Sequence, residues 1–313
     1  MKVVIFGGGG YIGNVLCRKY LDRGDSVICV DNFHKGQCDS LFSIITNPNF
    51  AFEYGSVTNI DDCCRILSKF DKMDRIINLA GIVGFPAAKK NPELSFAVNV
   101  QGAENVVLAR NNVCPSAPVF FASTGSVYGK LDEICTELSP TNPVSIYGQD
   151  KLEGEKRVCS HSNTLAYRFA TCFGVSPSMR INLLINDFCF KSYYDKCITI
   201  FEGNAHRTFI HIQDLTDSII WGLDNIQNLR YNLYNCGNES LNCTKIEIAN
   251  KIKDFTNCYI HCADIGVDED MRDYEVSYKR LSDEGFRPLV DLDTGIKEIL
   301  KVVPLLKLAN QYS

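Results

Sequence analysis

The sequence predicts an α/β protein built on a doubly wound parallel sheet, followed by a smaller C-terminal lobe. Short apolar runs rich in Val, Ile and Phe alternate with amphipathic stretches through the first half of the chain. Such runs are typical of parallel strands that are buried on both faces. A glycine-rich turn directly follows the first run, and the alternation loosens after residue 175. Strands that alternate with helices favour the doubly wound arrangement.

The individual elements follow from this pattern in chain order. Strands are predicted over 2–6, 26–30, 74–79, 119–122 and 165–169. Residues from Ile12 to Tyr20 keep helical spacing, and Gly24 ends that helix. Further long helices are predicted over about 93–112 and 146–160.

The domain division follows from where the alternation stops and resumes. A short strand at the start of "RTFIHIQDLTDSIIWGL", a helix near Gln213 and the strand in "YNLYNCG" return the chain to the first unit. The predicted first domain is therefore 1–174 plus 208–237. The second lobe takes 175–207 plus 238–313.

Composition and charge exclude several classes of protein. The chain has 313 residues, 45% of them hydrophobic and 22% charged, as in ordinary globular proteins. Its net charge of −5 argues against nucleic-acid binding, which usually requires a basic surface. No stretch approaches the roughly 20 apolar residues of a membrane span. The 15 cysteines, without a secretory signal, predict free thiols and a cytoplasmic location. Cys258, His261 and Cys262 lack a second pair of ligands, so no metal site is predicted.

The glycine-rich turn has the features of a dinucleotide-binding loop. Gly7, Gly10 and Gly13 are spaced G-x-x-G-x-x-G between a strand and a helix. Glycines permit the tight turn and let the backbone approach a pyrophosphate at a helix N-terminus. The predicted cofactor contacts here are Gly7, Gly10, Tyr11, Ile12 and Gly13.

The end of the second strand indicates which dinucleotide binds. Asp31 lies 18 residues after Gly13, where an acidic residue binds ribose hydroxyls. A carboxylate would repel a 2′-phosphate, so Asp31, with Asn32 beside it, favours NAD. His34 and Lys35 leave NADP open, and a purely turn-forming Asp31 is the structural alternative.

Tyr147 and Lys151, in "SIYGQDK", lie four residues apart on one face of a predicted helix. A phenol with a pKa near 10 is a poor base at neutral pH. A nearby ammonium and the positive nicotinamide of an oxidised cofactor favour its ionised form. Tyr147 is therefore predicted as a general base that Lys151 tunes, with a surface pair as the alternative. Thr124, after the strand in "FFASTGSVYG", is predicted to orient a substrate oxygen. Ser123 and Ser126 are equally consistent with turn formation.

Together these motifs resemble the extended short-chain dehydrogenases/reductases, the NAD-dependent epimerase/dehydratase family that acts on nucleotide sugars. The resemblance covers about residues 1–285 and includes "NLAG", "FAVNVQGAENVV", "STGSVYG", "YGQDK" and "RTFIHIQDL". It implies a Rossmann domain with Thr124, Tyr147 and Lys151 as the catalytic residues. It adds Leu79, Ala80, Gly81 and Asn99 to the cofactor contacts.

The resemblance also implies a substrate and an assembly. The substrate is a UDP- or GDP-linked sugar, oxidised at C4 to a ketone between the two lobes. The expected substrate contacts are Thr124, Ser126, Arg180, Asn186, Arg207 and Arg272. A homodimer through the two long helices is also implied.

Two departures from the family pattern bear on the reaction. Ser56 stands where the family has an adenine-binding Asp, a contact that Asp61 or Asp62 would have to replace. Gly125 and Ser126 replace the Asp-Glu pair of 4,6-dehydratases, which disfavours that reaction. A nucleotide-sugar 4-epimerase is predicted, and a GDP-heptose-like 4-dehydrogenase is the main alternative. The Tyr/Lys pair disfavours a non-catalytic NAD-binding regulator. Cys172 and Cys189 are expected to be packing thiols, with an acid/base role as the alternative.

Overall fold

The structure is a computed structural model that describes residues 1–34, 38–70, 72–263 and 273–310. Its strands are β1 (Lys2–Phe6), β2 (Ser26–Asp31), β3 (Phe50–Tyr54), β4 (Arg75–Asn78), β5 (Val119–Thr124), β6 (Thr164–Phe169), β7 (Thr171–Phe173), β8 (Cys197–Ile200), β9 (His206–His211), β10 (Leu233–Cys236), β11 (Asn242–Thr244) and β12 (Tyr259–Cys262). Its α-helices are α1 (Tyr11–Asp22), α2 (Ile60–Leu67), α3 (Phe85–Lys90), α4 (Pro92–Phe96), α5 (Gly102–Val113), α6 (Ile146–Cys159), α7 (Leu184–Tyr194), α8 (Ile212–Asp224), α9 (Lys245–Thr256), α10 (Lys279–Glu284) and α11 (Leu292–Asn310).

Seven parallel strands form the main sheet in the order β10-β6-β5-β4-β1-β2-β3. Helices α1 and α8 pack together on one face, and α2, α5 and α6 lie on the other. The predicted doubly wound sheet is confirmed. The carboxyl ends of β1, β2, β4 and β5 meet at one edge, where α/β proteins bind ligands.

Strand β3 is an element that the sequence pattern did not reveal. It lies at the end of the sheet, and only Phe50 of its five residues is buried. An edge strand that is largely exposed carries no continuous apolar run, so its sequence lacks the pattern of a buried parallel strand.

The predicted helix over 93–112 is interrupted in the structure. Helix α4 passes into a π-helical turn at Ala97–Gln101 before α5 begins. Turns of this kind occur mostly as single insertions, often at functional sites. The π-helical turn contains Asn99, whose buried amide is bonded to the backbone of Ile82.

Two smaller sheets lie outside the main one. One has the order β11-β9-β7 and the other pairs β12 with β8. Helices α7, α9 and α11 pack around a separate apolar core that includes Ile185, Phe188, Ile248 and Ile296. Among the described residues, no helix has both the length and the apolar character that a membrane crossing requires.

Candidate active site

The turn between β1 and α1 is shaped by close backbone contacts. Gly7 has a φ of +78°, a conformation that glycine adopts without strain. A Cβ on Gly7 would lie 2.7 Å from the Ala80 nitrogen, and a Cβ on Gly13 would lie 2.2 Å from the Gly7 oxygen. Gly10 is the N-cap of α1 and offers no side chain to the amides of Tyr11, Ile12 and Gly13. These first-turn amides suit an anion such as a pyrophosphate.

Asp31 ends β2 beside this turn, with both carboxylate oxygens fixed. Oδ2 accepts a hydrogen bond from the Gly9 amide (3.0 Å), and Oδ1 accepts one from the Phe33 amide (2.8 Å). Burial raises the pKa of Asp31, and these amide bonds oppose the rise. The remaining lone pairs can accept ribose hydroxyls. The Asn32 side chain accepts from the His34 amide and so forms a turn. Lys35 lies outside the described residues.

The segment after β4 forms the next wall of the site. The Leu79 amide donates to the Phe6 oxygen (2.9 Å), and the Ala80 amide donates to Asn78 Oδ1 (3.2 Å). Asn99 bonds Ile82 twice, accepting from its amide (3.1 Å) and donating to its oxygen (3.0 Å). A Cβ on Gly81 would lie 3.0 Å from Asn99 Oδ1. The Asn99 side chain therefore fixes the junction of sheet and helix.

The end of β5 presents hydroxyl groups. Thr124 Oγ1 accepts from the Ser126 amide (3.2 Å) and donates to Ser126 Oγ (3.1 Å). Both residues are buried and lie at a 3₁₀ turn over Gly125–Val127. Ser126 thus does make a turn, and the paired hydroxyls remain beside the edge where ligands bind. Tyr274, which sequence reasoning did not single out, also reaches this turn, because a Cβ on Gly125 would lie 3.0 Å from its Oη.

Tyr147 and Lys151 occupy successive turns of α6. Ser145 caps the helix by accepting from the Gly148 amide (3.1 Å), so Tyr147 falls in the first turn. Tyr147 is half-buried, whereas Lys151 is only 5% exposed. The Lys151 ammonium lies 3.9 Å from the centre of the Phe121 ring. Burial lowers the pKa of Lys151 to about 7, and the charge of Glu155 acts in the opposite direction.

Arg207 and Arg180, two of the predicted substrate contacts, differ in their burial and in their neighbours. Arg207, on β9, is buried and donates to the His206 oxygen (3.0 Å). Arg180 is half-buried; burial lowers its pKa, while the proximity of Tyr147 raises it. The Arg180 side chain therefore lies within electrostatic reach of Tyr147. Arg272 falls outside the described residues.

Asn186, predicted as a substrate contact, lies within a network of hydrogen bonds to protein groups. It is 1% exposed, and its amide is occupied by protein groups. It accepts from the Gly174 amide (3.2 Å) and donates to the Tyr11 hydroxyl (3.2 Å) and the Arg180 oxygen (2.8 Å). Tyr11 in turn donates to the Gly174 oxygen (2.7 Å). Asn186 thus joins Tyr11 to Arg180, and the sequence could not show these partners.

Residues 3–237 match the sequence profile described as the NAD dependent epimerase/dehydratase family. The chain belongs to this family. The predictions of an enzyme and of NAD as its cofactor are thereby confirmed.

Named relatives of this family member span nearly its whole length. It is 24% identical to the CDP-paratose 2-epimerase of Salmonella typhi, over 96% of this chain and 98% of that protein. It is 24% identical to a putative UDP-glucose 4-epimerase of Methanocaldococcus jannaschii, over 95% and 97%. The fold matches the NAD complex of Thermus thermophilus UDP-glucose 4-epimerase (TM-score 0.83, 20% identity, 97% and 99% coverage). It also matches Bacillus cereus UDP-glucuronic acid 4-epimerase bound to UDP-glucuronic acid and NAD (TM-score 0.83, 21% identity, 98% and 100% coverage).

Beneath Lys151 this family member carries a buried polar cluster that sequence reasoning missed. Glu155 Oε2 accepts from Ser123 Oγ (2.6 Å) and from Arg168 Nε (3.0 Å), and Oε1 accepts from Arg168 Nη2 (2.7 Å). The spacing of four residues that singled out Tyr147 and Lys151 also relates Lys151 to Glu155. Applying that spacing once more along α6 would have found Glu155.

The thiols of Cys172 and Cys189 fit packing roles. Both are buried, and burial raises their pKa well above the ordinary thiol value. A thiol in such surroundings stays neutral and unreactive at pH 7. All 15 cysteines of the chain are free.

Proposed function

We propose that this family member is a nucleotide-sugar 4-epimerase that acts through a 4-keto sugar. The observation that carries the proposal is the buried Lys151 ammonium, one helical turn from Tyr147 at the edge of the sheet that holds the glycine turn. Relatives and structural neighbours named as 4-epimerases of UDP-glucose and UDP-glucuronic acid support it.

In the proposed reaction, Tyr147 accepts the proton of the C4 hydroxyl and later returns it to the C4 oxygen when the ketone is reduced again. Lys151 favours the ionised phenol by its positive charge and contacts the nicotinamide ribose. The Thr124 hydroxyl donates to the C4 oxygen as it becomes a carbonyl. Bound NAD supplies the hydride acceptor and, after the ketone has turned, the hydride donor.

We assign the binding of NAD and of the nucleotide sugar to other predicted residues. The first-turn amides of α1 hold the pyrophosphate of NAD, and Asp31 holds its adenosine ribose. The guanidinium groups of Arg207 and Arg180 suit the diphosphate of a UDP- or GDP-linked sugar. We place the sugar between a domain of 1–174 plus 208–237 and a lobe of 175–207 plus 238–313.

A 4-dehydrogenase that releases the ketone is the second candidate, because both reactions share the first step. A 4,6-dehydratase is disfavoured, since Gly125 and Ser126 provide no carboxyl group for the elimination. We further propose a homodimer formed through α5 and α6. The 15 free thiols support a reducing, cytoplasmic location.

The test is to incubate the purified protein with UDP-, GDP- and CDP-sugars and to analyse the products by mass spectrometry. An epimer has the same mass as the substrate. A released 4-keto sugar is lighter than the substrate by two hydrogens, and NADH accumulates as it forms. Tyr147→Phe is expected to lower turnover by about 10²–10⁴-fold, because the proton acceptor is lost. Tyr259→Phe is the matched control, since Tyr259 is exposed on β12. Full turnover in Tyr147→Phe would remove Tyr147 from its assigned role.

A further inference from the structure

Lys151 presents an energetic problem that its own surroundings do not solve. A buried ammonium that loses water tends to release its proton, and this side chain faces the Phe121 ring rather than bulk solvent. In the proposed function, however, Lys151 acts through its positive charge. A nearby anion must therefore hold that charge.

Glu155 is placed to supply it. It lies one turn after Lys151 on the same face of α6 and is only 3% exposed. Its negative charge raises the pKa of Lys151 against the effect of burial. The other carboxylate next to Lys151 along the chain, Asp150, accepts from Ser95 Oγ (2.5 Å) on α4.

The Glu155 carboxylate is held in one orientation by two other elements. Arg168 of β6 binds both oxygens, and Ser123 of β5 donates to one of them. Arg168 is 5% exposed and donates through Nη1 to the Tyr128 hydroxyl (3.1 Å), which donates to Asn235 Oδ1 (2.6 Å). Burial would lower the pKa of Arg168, but its bonds to Glu155 raise it above the ordinary value. Arg168 thus remains charged and competes with Lys151 for one carboxylate.

We propose that Glu155 is a positioning residue of the active site: its carboxylate, held by Arg168 and Ser123, keeps Lys151 charged next to Tyr147. The inference rests on the proposed role of Lys151. Around Lys151, β5 contributes Phe121 and Ser123, β6 contributes Arg168, and α6 contributes Tyr147, Asp150 and Glu155. Arg180 lies within reach of Tyr147 from the second lobe.

The test measures the charge of Lys151 directly and requires no substrate. Lysine side chains are labelled with ¹³C and ¹⁵N, and the Lys151 signal, assigned by its loss in Lys151→Arg, is followed by NMR from pH 5 to 10 before NAD is added. The wild-type midpoint is expected at about 7. Glu155→Gln should lower it by about one unit or more, because the anion is lost. Arg168→Gln should raise it, because the competing cation is lost.

Shifts of the Lys151 midpoint in opposite directions in Glu155→Gln and Arg168→Gln distinguish this role from a purely structural one. If the cluster only stabilised the fold, both variants would lower the melting temperature and leave the Lys151 midpoint unchanged, and that result would overturn the inference. If Glu155→Gln does not fold, Glu155→Asp decides instead: it shortens the side chain and draws the carboxylate away from Lys151, so an unshifted or raised Lys151 midpoint contradicts the proposal. Opposite shifts with no turnover of any nucleotide sugar would instead keep the inference and reject the proposed function.

Discussion

At the scale of the residue, the proposed catalytic role of Lys151 implies a cost in stability. Its side chain is buried, and its lowered pKa means that the folded protein binds the proton less tightly than the unfolded chain does. Stability therefore rises with pH between about 7 and the ordinary lysine pKa, and the cost of burying the charge is greatest at and below about pH 7. Such strained groups are typical of functional sites.

We therefore expect Lys151→Met to stabilise the NAD-free protein while it removes activity. Because the folded protein holds this proton less tightly than the unfolded chain does, removing the charge should raise the free energy of unfolding by about 1–4 kcal/mol at pH 7. The difference in free energy of unfolding between Lys151→Met and the wild type should become smaller as pH rises from 7 to 10. Urea unfolding at several pH values measures both effects. Lys156→Met, at an exposed position of the same helix, is the control and should change stability little. A less stable Lys151→Met would contradict the expectation.

At the scale of the element, the junction of β9 and α8 depends on a neutral histidine. His211 is fully buried, and its Nδ1 accepts from the Gln213 amide as the N-cap of α8 (3.4 Å). Burial, with a smaller contribution from Lys19, lowers the pKa of His211 to about 4. The Glu298 carboxylate lies 3.3 Å from Nε2, but solvent screens it because that side chain is exposed.

His211→Asn is expected to make the protein less sensitive to acid. Because the folded pKa lies below the ordinary value of 6.5, the wild type loses stability as pH falls from about 6.5 towards 4. Asparagine keeps the capping acceptor but does not titrate. The free energy of unfolding should therefore fall less between pH 7 and 4.5 in the variant than in the wild type. His34→Asn, at an exposed position, is the control. Equal slopes for all three proteins would contradict the expectation, because they would show that His211 binds its proton equally tightly in the folded and unfolded chain.

The elements also show how far sequence patterns reach. The buried parallel strands were predictable because each is a continuous apolar run, and β3 was not because solvent covers much of it. The pattern also predicted a continuous helix where the structure has a π-helical turn at Asn99. Helical spacing indicates which face of a segment is buried. It does not reveal a single turn that contains one extra residue, as a π-helical turn does.

At the scale of the whole molecule, α5 and α6 lie side by side and are joined by Arg157 and Glu104 (2.6 Å). Leu108 is an apolar residue on α5 that is 36% exposed. In the proposed homodimer this pair of helices packs against its copy. The assembly would bury Leu108 and leave the cofactor edge of the sheet accessible.

We expect sedimentation to give twice the 35.1 kDa of one chain. Leu108→Glu should shift the protein towards the monomer, because a charge at the centre of an apolar interface is costly. Leu289→Glu is the matched control: Leu289 is 87% exposed, lies away from α5 and α6, and should leave the mass unchanged. A wild-type monomer, or an unaltered dimer in Leu108→Glu, would reject this interface.

The sequence by itself determined the glycine turn, the buried strands and the Tyr147–Lys151 spacing, because each is a local pattern within one element. Only the tertiary structure decided which distant side chains meet. Ser123, Glu155 and Arg168 converge from β5, α6 and β6, and Tyr274 reaches Gly125 from far along the chain. Periodicity specifies the buried face of an element, whereas the order of the strands specifies the partners across it. The contacts that set the charge of Lys151 belong to that second kind.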